Sequence, residues 1–255
     1  MNLNFDLSYK DRYHSASQLA RVITEKWVED NMFCPHCGRE SIEHFPNNKP
    51  VADFFCPNCG SEYELKSKNG IWGHRVNDGA YDTMIERITS NKNPGFFFMG
   101  YSRLEMKVTN FIFVPKYFFV PNIIEKRNPL AATARRAGWI GCNIIIDSIP
   151  KQGRIDIISD GHISEVNDVL EKVSRVSALK TDNILARGWL LDILSYINVI
   201  PKDIFTLSEI YAFEDLLSQK HPKNNNIRAK IRQQLQILRD KGIIEFLNKG
   251  EYQKL

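Results

Sequence analysis

Residues 50–66 read Pro-Val-Ala-Asp-Phe-Phe-Cys-Pro-Asn-Cys-Gly-Ser-Glu-Tyr-Glu-Leu-Lys, and the two ends of this stretch read as extended chain, Val51 to Phe55 and Glu62 to Lys66. Side chains alternate along a strand, so Glu64 and Lys66 share one face. If the strand of Asp53 pairs with it, Asp53 and Glu64 converge as oxygen ligands for a hard divalent ion such as Mg²⁺. Such an ion polarises a phosphodiester and lowers the pKa of a bound water. Lys66 then orients that water or stabilises the developing negative charge. Taken alone, Glu-x-Lys also fits an ordinary solvated strand.

The cysteines inside and before this stretch sharpen the reading. Cys34-Pro35-His36-Cys37 and Cys56-Pro57-Asn58-Cys59 stand eighteen residues apart, each followed by glycine, Gly38 and Gly60. Two such knuckles supply the four thiolates of a tetrahedral zinc, and four cysteines leave no open position for water. The expected metal is therefore structural. Disulfides are the rival pairing, but nothing in the chain points to an oxidising compartment. The second knuckle lies between Asp53 and Glu64, so zinc would pin the hairpin that carries both carboxylates. Cys142 reads as a small buried hydrophobe.

Working outward, Ser15 to Asn31 has helical spacing through Leu19, Val22, Ile23 and Trp27. A loop follows around Pro46-Asn47-Asn48-Lys49-Pro50. Strands are expected at Phe96–Tyr101, Asn110–Val114, Asn143–Ile146 and Arg154–Ile158, and helices at Asp78–Ser90 and Ser164–Val176. Strands mixed with flanking helices predict an α/β or α+β core sheet. Near Lys180 the pattern changes. Leu185–Ile197 is helical, and Thr206-Leu207-Ser208-Glu209 carries a capping box opening a helix that runs to about Pro222. A third helix runs from about Asn226 to Gly242, followed by a hairpin turning at Asn248-Lys249-Gly250. Three helices and a hairpin make a winged helix.

The 255 residues carry 34 Lys and Arg against 30 Asp and Glu, a net charge of +4 that permits a nucleic-acid partner without requiring one. Distribution is more informative. Lys223 to Lys241 holds six basic residues and one acid, and Lys126 to Arg136 holds four basic residues and none. Each cluster reads as a phosphate-backbone contact or as a solvated face. The longest apolar runs are too short to cross a bilayer, and Met1-Asn2-Leu3-Asn4 has no secretory character, so a cytoplasmic protein is expected. The six histidines share no motif.

With Asp53, Glu64-Leu65-Lys66-Ser67-Lys68, Asn77-Asp78-Gly79-Ala80-Tyr81, Asn93-Pro94-Gly95-Phe96, the run Pro129 to Asn143 and the run Lys230 to Lys241 on the page, the chain resembles the DpnI-like methyl-directed (type IIM) restriction endonucleases of the PD-(D/E)xK superfamily. The likeness spans essentially the whole sequence. It implies a PD-(D/E)xK catalytic domain with a four-cysteine zinc insertion over residues 1–181 and a winged-helix domain over residues 182–255. The family's catalytic Asp, Glu and Lys match Asp53, Glu64 and Lys66, and its four cysteines match Cys34, Cys37, Cys56 and Cys59. The implied activity is Mg²⁺-dependent cleavage of double-stranded DNA at GATC carrying N6-methyladenine. The winged-helix domain is expected to read the methylated site itself. No protein partner is evident, and a monomer is expected.

Recognition residues follow from side-chain chemistry. Arg135, Arg136 and Trp139 bring bidentate donors and a flat aromatic wall into one loop. Trp139 is read equally as a core aromatic or as a wall for the N6-methyl group. Arg228, Arg232, Gln233 and Gln236 lie off the apolar stripe of the third C-terminal helix, where Gln can pair with adenine. Lys223, Lys230 and Lys249 are assigned to phosphates. Two other readings remain open: a zinc-ribbon and winged-helix transcription regulator, and a methylation-independent nuclease.

Overall fold

The computed structural model describes residues 1–13, 15–46, 52–90 and 93–255. Pro50 and Val51, the Asn47-Asn48-Lys49 segment of the expected loop, and His14 lie outside the described residues. The centre is a seven-stranded sheet, in spatial order β1 (Glu43–His44), β2 (Phe54–Phe55), β3 (Glu62–Asn69), β5 (Gly95–Ser102), β6 (Lys107–Val114), β9 (Ile155–Ser159) and β10 (His162–Ile163). Only β3 and β5 run parallel. Strand β5 is central and covered on both faces, which explains its unbroken apolar run; Phe96, Phe97, Phe98 and Met99 are all fully buried. Phe97 stacks on Tyr63 of β3 at 4.9 Å and on Phe111 of β6 at 5.1 Å, one layer of the core.

Helix α1 (Ala16–Asn31) covers one face of this sheet with Ile23, Thr24, Trp27 and Val28. Its end is fastened by the Trp27 indole, which donates to the Asn2 carbonyl at 2.7 Å. A small antiparallel sheet of β4 (Arg75–Ala80), β8 (Gly141–Ile145) and β7 (Ile124–Lys126) carries α2 (Tyr81–Thr89) directly after β4. The helix expected over Asp78–Ser90 is therefore shorter at its start. Asn77 to Ala80 pair with β8 instead, because the ladder to Gly141–Asn143 satisfies their backbone, and a bulge at Gly79 lies beside Asp78. Of the strand expected over Val51–Phe55, the described residues pair at Phe54–Phe55, held between β1 and β3, while Ala52 and Asp53 stand outside the strand. Helix α3 (Val166–Ser177) packs on β9.

The remaining elements are α4 (Ile184–Val199), β11 (Ile204–Thr206), α5 (Leu207–Tyr211), α6 (Glu214–Lys220), α7 (Ile227–Asp240), β12 (Ile244–Asn248) and β13 (Glu251–Lys254). The Thr206–Glu209 capping box forms in both directions. The helix it opens does not run on to Pro222: it breaks at Ala212 and Phe213, where Phe213 turns to stack on Tyr196 at 4.4 Å. The expected three helices are thus four. The terminal hairpin gains β11 as a third strand, in order β11-β13-β12. In α4, the buried Asp192 carboxylate accepts from Lys220 Nζ at 2.6 Å and His221 Nε2 at 2.8 Å, which fixes the turn leading into α7. Among the described residues, no helix is long and apolar enough to cross a membrane.

Candidate active site

The β2–β3 hairpin sets Phe54 opposite Tyr63. One step further along, Asp53 donates its backbone N–H to the Tyr63 carbonyl, and its carboxylate Oδ2 accepts from the Leu65 N–H at 2.7 Å. Asp53 thereby reaches the position across from Glu64, and both line one cavity of about 400 Å³ with Lys66, Thr24, Glu25 and Arg21. Asp53, Glu64 and Lys66 are thus brought together, as their spacing leads one to expect. Burial holds the Asp53 carboxyl above the ordinary range, against the opposing Leu65 hydrogen bond.

Two residues not foreseen complete the cluster. Lys66 Nζ lies 2.6 Å from Glu64 Oε1 and 2.5 Å from Asp78 Oδ1, and Arg87 of α2 donates to the other Glu64 oxygen at 2.8 Å. Two carboxylates and two cations therefore offset one another in a largely buried cluster. Burial opposes the Lys66 ammonium, yet the carboxylates of Glu64 and Asp78 outweigh it and hold its pKa above the ordinary lysine range. Among the described residues Asp53 has no such direct cationic partner, and its raised pKa marks a negative charge that a hard cation would relieve. Asp78 belonged to a conspicuous stretch of sequence, but the assignment of that stretch to a helix concealed its direction.

Each cysteine knuckle has the same backbone. Gly38 and Gly60 return N–H bonds to the Cys34 and Cys56 carbonyls, at φ of +74° and +70° that favour glycine. The four sulfurs lie within 4.8 Å of one another, with Cys34–Cys59 and Cys37–Cys56 separations of 3.6 Å. A tetrahedron built on Zn–S bonds of about 2.3 Å has edges of roughly 3.8 Å, whereas a disulfide needs about 2.05 Å. The cluster can hold zinc. Burial raises the pKa of Cys34 as a free thiol, so its ionisation there calls for a cation. The Tyr63 hydroxyl lies 3.0 Å from Cys34 Sγ and 3.1 Å from His36 Nδ1, linking the knuckles to the strand of Glu64.

Two exposed basic regions remain. Trp139 is not in the core: half-buried, it lies over Gly141, where an added Cβ would come within 2.8 Å of its ring. The Arg136 guanidinium sits 4.6 Å from the ring centroid, and Arg135 is exposed beside it. This loop joins β7 to β8, and β8 pairs Cys142 with Asp78. On α7, Arg232, Gln233 and Gln236 are exposed together, opposite buried Ile231, Leu235 and Leu238. Arg232 donates to the Tyr211 hydroxyl, Arg228 to Glu214 and Lys230 to Gln233, each at 2.7 Å. Lys223 and Lys249 are exposed at the turn before α7 and at the hairpin tip.

Comparison with known families agrees with this layout. Residues 1–182 match the family described as DpnI: Dam-replacing family, and residues 185–254 match the Dam-replacing HTH domain. The chain belongs to the DpnI family of methyl-directed restriction enzymes. Its helix-turn-helix part is the surface on which α7 presents Arg232, Gln233 and Gln236.

Proposed function

We propose that this chain is a type II endonuclease that hydrolyses double-stranded DNA at GATC sites carrying N6-methyladenine, with catalysis in residues 1–181 and a second reader in residues 182–255. The observation that carries the proposal is the meeting of Asp53, Glu64 and Lys66 at one cavity on a hairpin braced by the cysteine cluster. Asp53 and Glu64 would hold Mg²⁺, which when bound supplies Lewis acidity and a lowered water pKa. Arg87 fixes one Glu64 oxygen. Lys66, kept protonated between Glu64 and Asp78, acts as a fixed positive charge beside the scissile phosphate. Its two carboxylate partners make it a poor general base at neutral pH.

Trp139, Arg135 and Arg136 are proposed to read the methylated site in the catalytic part, and Arg232, Gln233 and Gln236 in the C-terminal part. Lys223, Lys230 and Lys249 contact phosphates, and Arg228 stands beside the reading residues on the same helix. The test is digestion of one plasmid, prepared with and without adenine methylation at GATC, in Mg²⁺ and in EDTA. Cutting confined to the methylated plasmid in Mg²⁺ is expected. Cutting of both plasmids would leave a methylation-independent nuclease, and cutting of neither would leave a regulator.

A further inference from the structure

Beyond Lys66, β3 ends in the loop Gly70-Ile71-Trp72-Gly73, which leads into β4 and Asp78. Ile71 at its tip is 76% exposed. Gly70 holds φ at +88°, a conformation that favours glycine, so the tip has a defined turn at its base. A single exposed isoleucine is ordinary on a protein surface. Three neighbouring features set this one apart.

Behind Ile71, the Trp72 ring packs edge-on against Phe98 at 5.9 Å, and Phe98 is the β5 partner of Lys66. The buried Trp72 indole N–H has no hydrogen-bond partner among the described residues. Beside the loop lies a cavity of about 410 Å³ floored by Asn110, Ile112 and Asp156 and walled by Ile71, Trp72, Asp147, Lys151 and Arg154, so its two cations are matched by two acids and the basic character lies at the tip itself. Lys66, Phe98 and Ile112 are successive cross-strand partners, so this floor shares the Lys66 face two strand spacings away, about 10 Å. Finally, Leu104 on the β5–β6 turn is 94% exposed at the same end of the sheet. The two loops are joined there, since Asn69 Oδ1 accepts from the Arg103 N–H at 2.9 Å and Gly70 donates to the Tyr101 carbonyl at 2.8 Å.

Basic side chains flank the tip. Lys68 lies on the Lys66 face of β3, its Nζ 5.9 Å from the Trp72 ring centroid, and Arg103 is exposed on the adjoining turn. On the cavity wall Arg154 is partly answered by Asp147 at 4.0 Å. A polyanion lying over Lys66 therefore meets Lys68 and then an apolar tip. We propose that the Gly70–Gly73 loop is a DNA-contacting finger whose Ile71 side chain wedges at a base step a few base pairs from the scissile phosphate. Apolar side chains used in this way unstack the step and bend the duplex. The inference rests on the endonuclease reading. Duplex DNA is the occupant because the tip continues the face of Glu64 and Lys66 and is flanked by cations.

The test uses the full chain and a methylated GATC duplex carrying 2-aminopurine at each flanking position in turn, with Ca²⁺ replacing Mg²⁺ for binding. Wild-type binding should raise the fluorescence at one position. Ile71→Ala should remove most of that rise, change affinity by less than about threefold and slow single-turnover cleavage in Mg²⁺ about tenfold or more. Ile71→Leu should restore both signals. No wild-type rise, or an unchanged rise and rate in Ile71→Ala, overturns the wedge. So does a change of oligomeric state in Ile71→Asp, which would make the tip a protein contact. If the wild type binds with the expected fluorescence pattern but cuts no DNA in Mg²⁺, the wedge stands and the endonuclease reading fails.

Discussion

Lys66 and Asp78 form a 2.5 Å ion pair although they belong to different sheets. The pair joins β3 of the central sheet to the small sheet whose β7–β8 loop carries Trp139. Their side chains are only 18% and 7% exposed, so the contact is weakly screened by solvent. The raised Lys66 pKa contributes stability that is fully present below the unfolded lysine value of about 10.4 and is lost as pH rises through the folded value. At neutral pH the Lys66 ammonium of this clamp is fully charged.

Removing half of that clamp should therefore affect rate and stability together. Asp78→Asn leaves Lys66 with Glu64 alone. Denaturant unfolding in Mg²⁺-free buffer without chelator should show a loss of about 2–4 kcal/mol, near the range for breaking a buried pair. Single-turnover cleavage should fall at least tenfold while duplex affinity changes little. Wild-type rates in this variant would remove Asp78 from the site.

Asp53 carries the opposite expectation for stability. Burial raises its folded pKa above the unfolded value of about 3.9, so its contribution is favourable only when protonated and is lost as pH rises through the folded value. Without bound metal, Asp53 therefore costs stability as pH rises out of the acidic range. Asp53→Asn should abolish cleavage yet raise the melting temperature in Mg²⁺-free buffer without chelator, with the gap widening from acidic to neutral pH. Added Mg²⁺ should raise the wild-type melting temperature and leave the variant unmoved. A lower melting temperature for Asp53→Asn in Mg²⁺-free buffer would contradict this account.

The cysteine cluster predicts one zinc per chain by elemental analysis. Cys34→Ser removes a buried ligand and the sulfur beside Tyr63. It should lower zinc content, melting temperature and cleavage in parallel, because thiolate ligation is coupled to folding. Purified protein that is fully active and free of zinc would refute the assignment.

On α7, Lys223→Ala and Gln236→Ala should separate affinity from specificity. Lys223→Ala should weaken binding to all duplexes alike and reduce the slope of log K against log salt by about 1. Gln236→Ala should cost about 1–3 kcal/mol on the GATC duplex and little on an unrelated one. Equal losses on both duplexes would make Gln236 a backbone contact.

The hairpin and cysteine cluster were legible because their signals are local. Two-residue alternation places Glu64 and Lys66, and two C-x2-C knuckles need only their own turns. The C-terminal winged helix was legible for a similar reason: its apolar spacing and the Thr206–Glu209 box lie within single elements. Asp78 and Arg87 were missed because their roles depend on distant chain. Asn77 to Ala80 are claimed by β8, more than sixty residues later, and helical spacing through Tyr81, Met84 and Ile88 drew the boundary too early. The break at Phe213 was hidden for the same reason, since it depends on stacking against Tyr196.

Tyr63 has one further consequence. Its hydroxyl touches Cys34, its ring stacks on Phe97 in the core, and its peptide neighbour is Glu64. Metal loss at the knuckles would thus be felt within one residue of the proposed cutting centre. On the proposed nuclease reading, a newly made chain that had not yet captured zinc would carry Glu64 on an unbraced hairpin and be expected to cut slowly or not at all, so that incomplete assembly yields silence and not loss of discrimination.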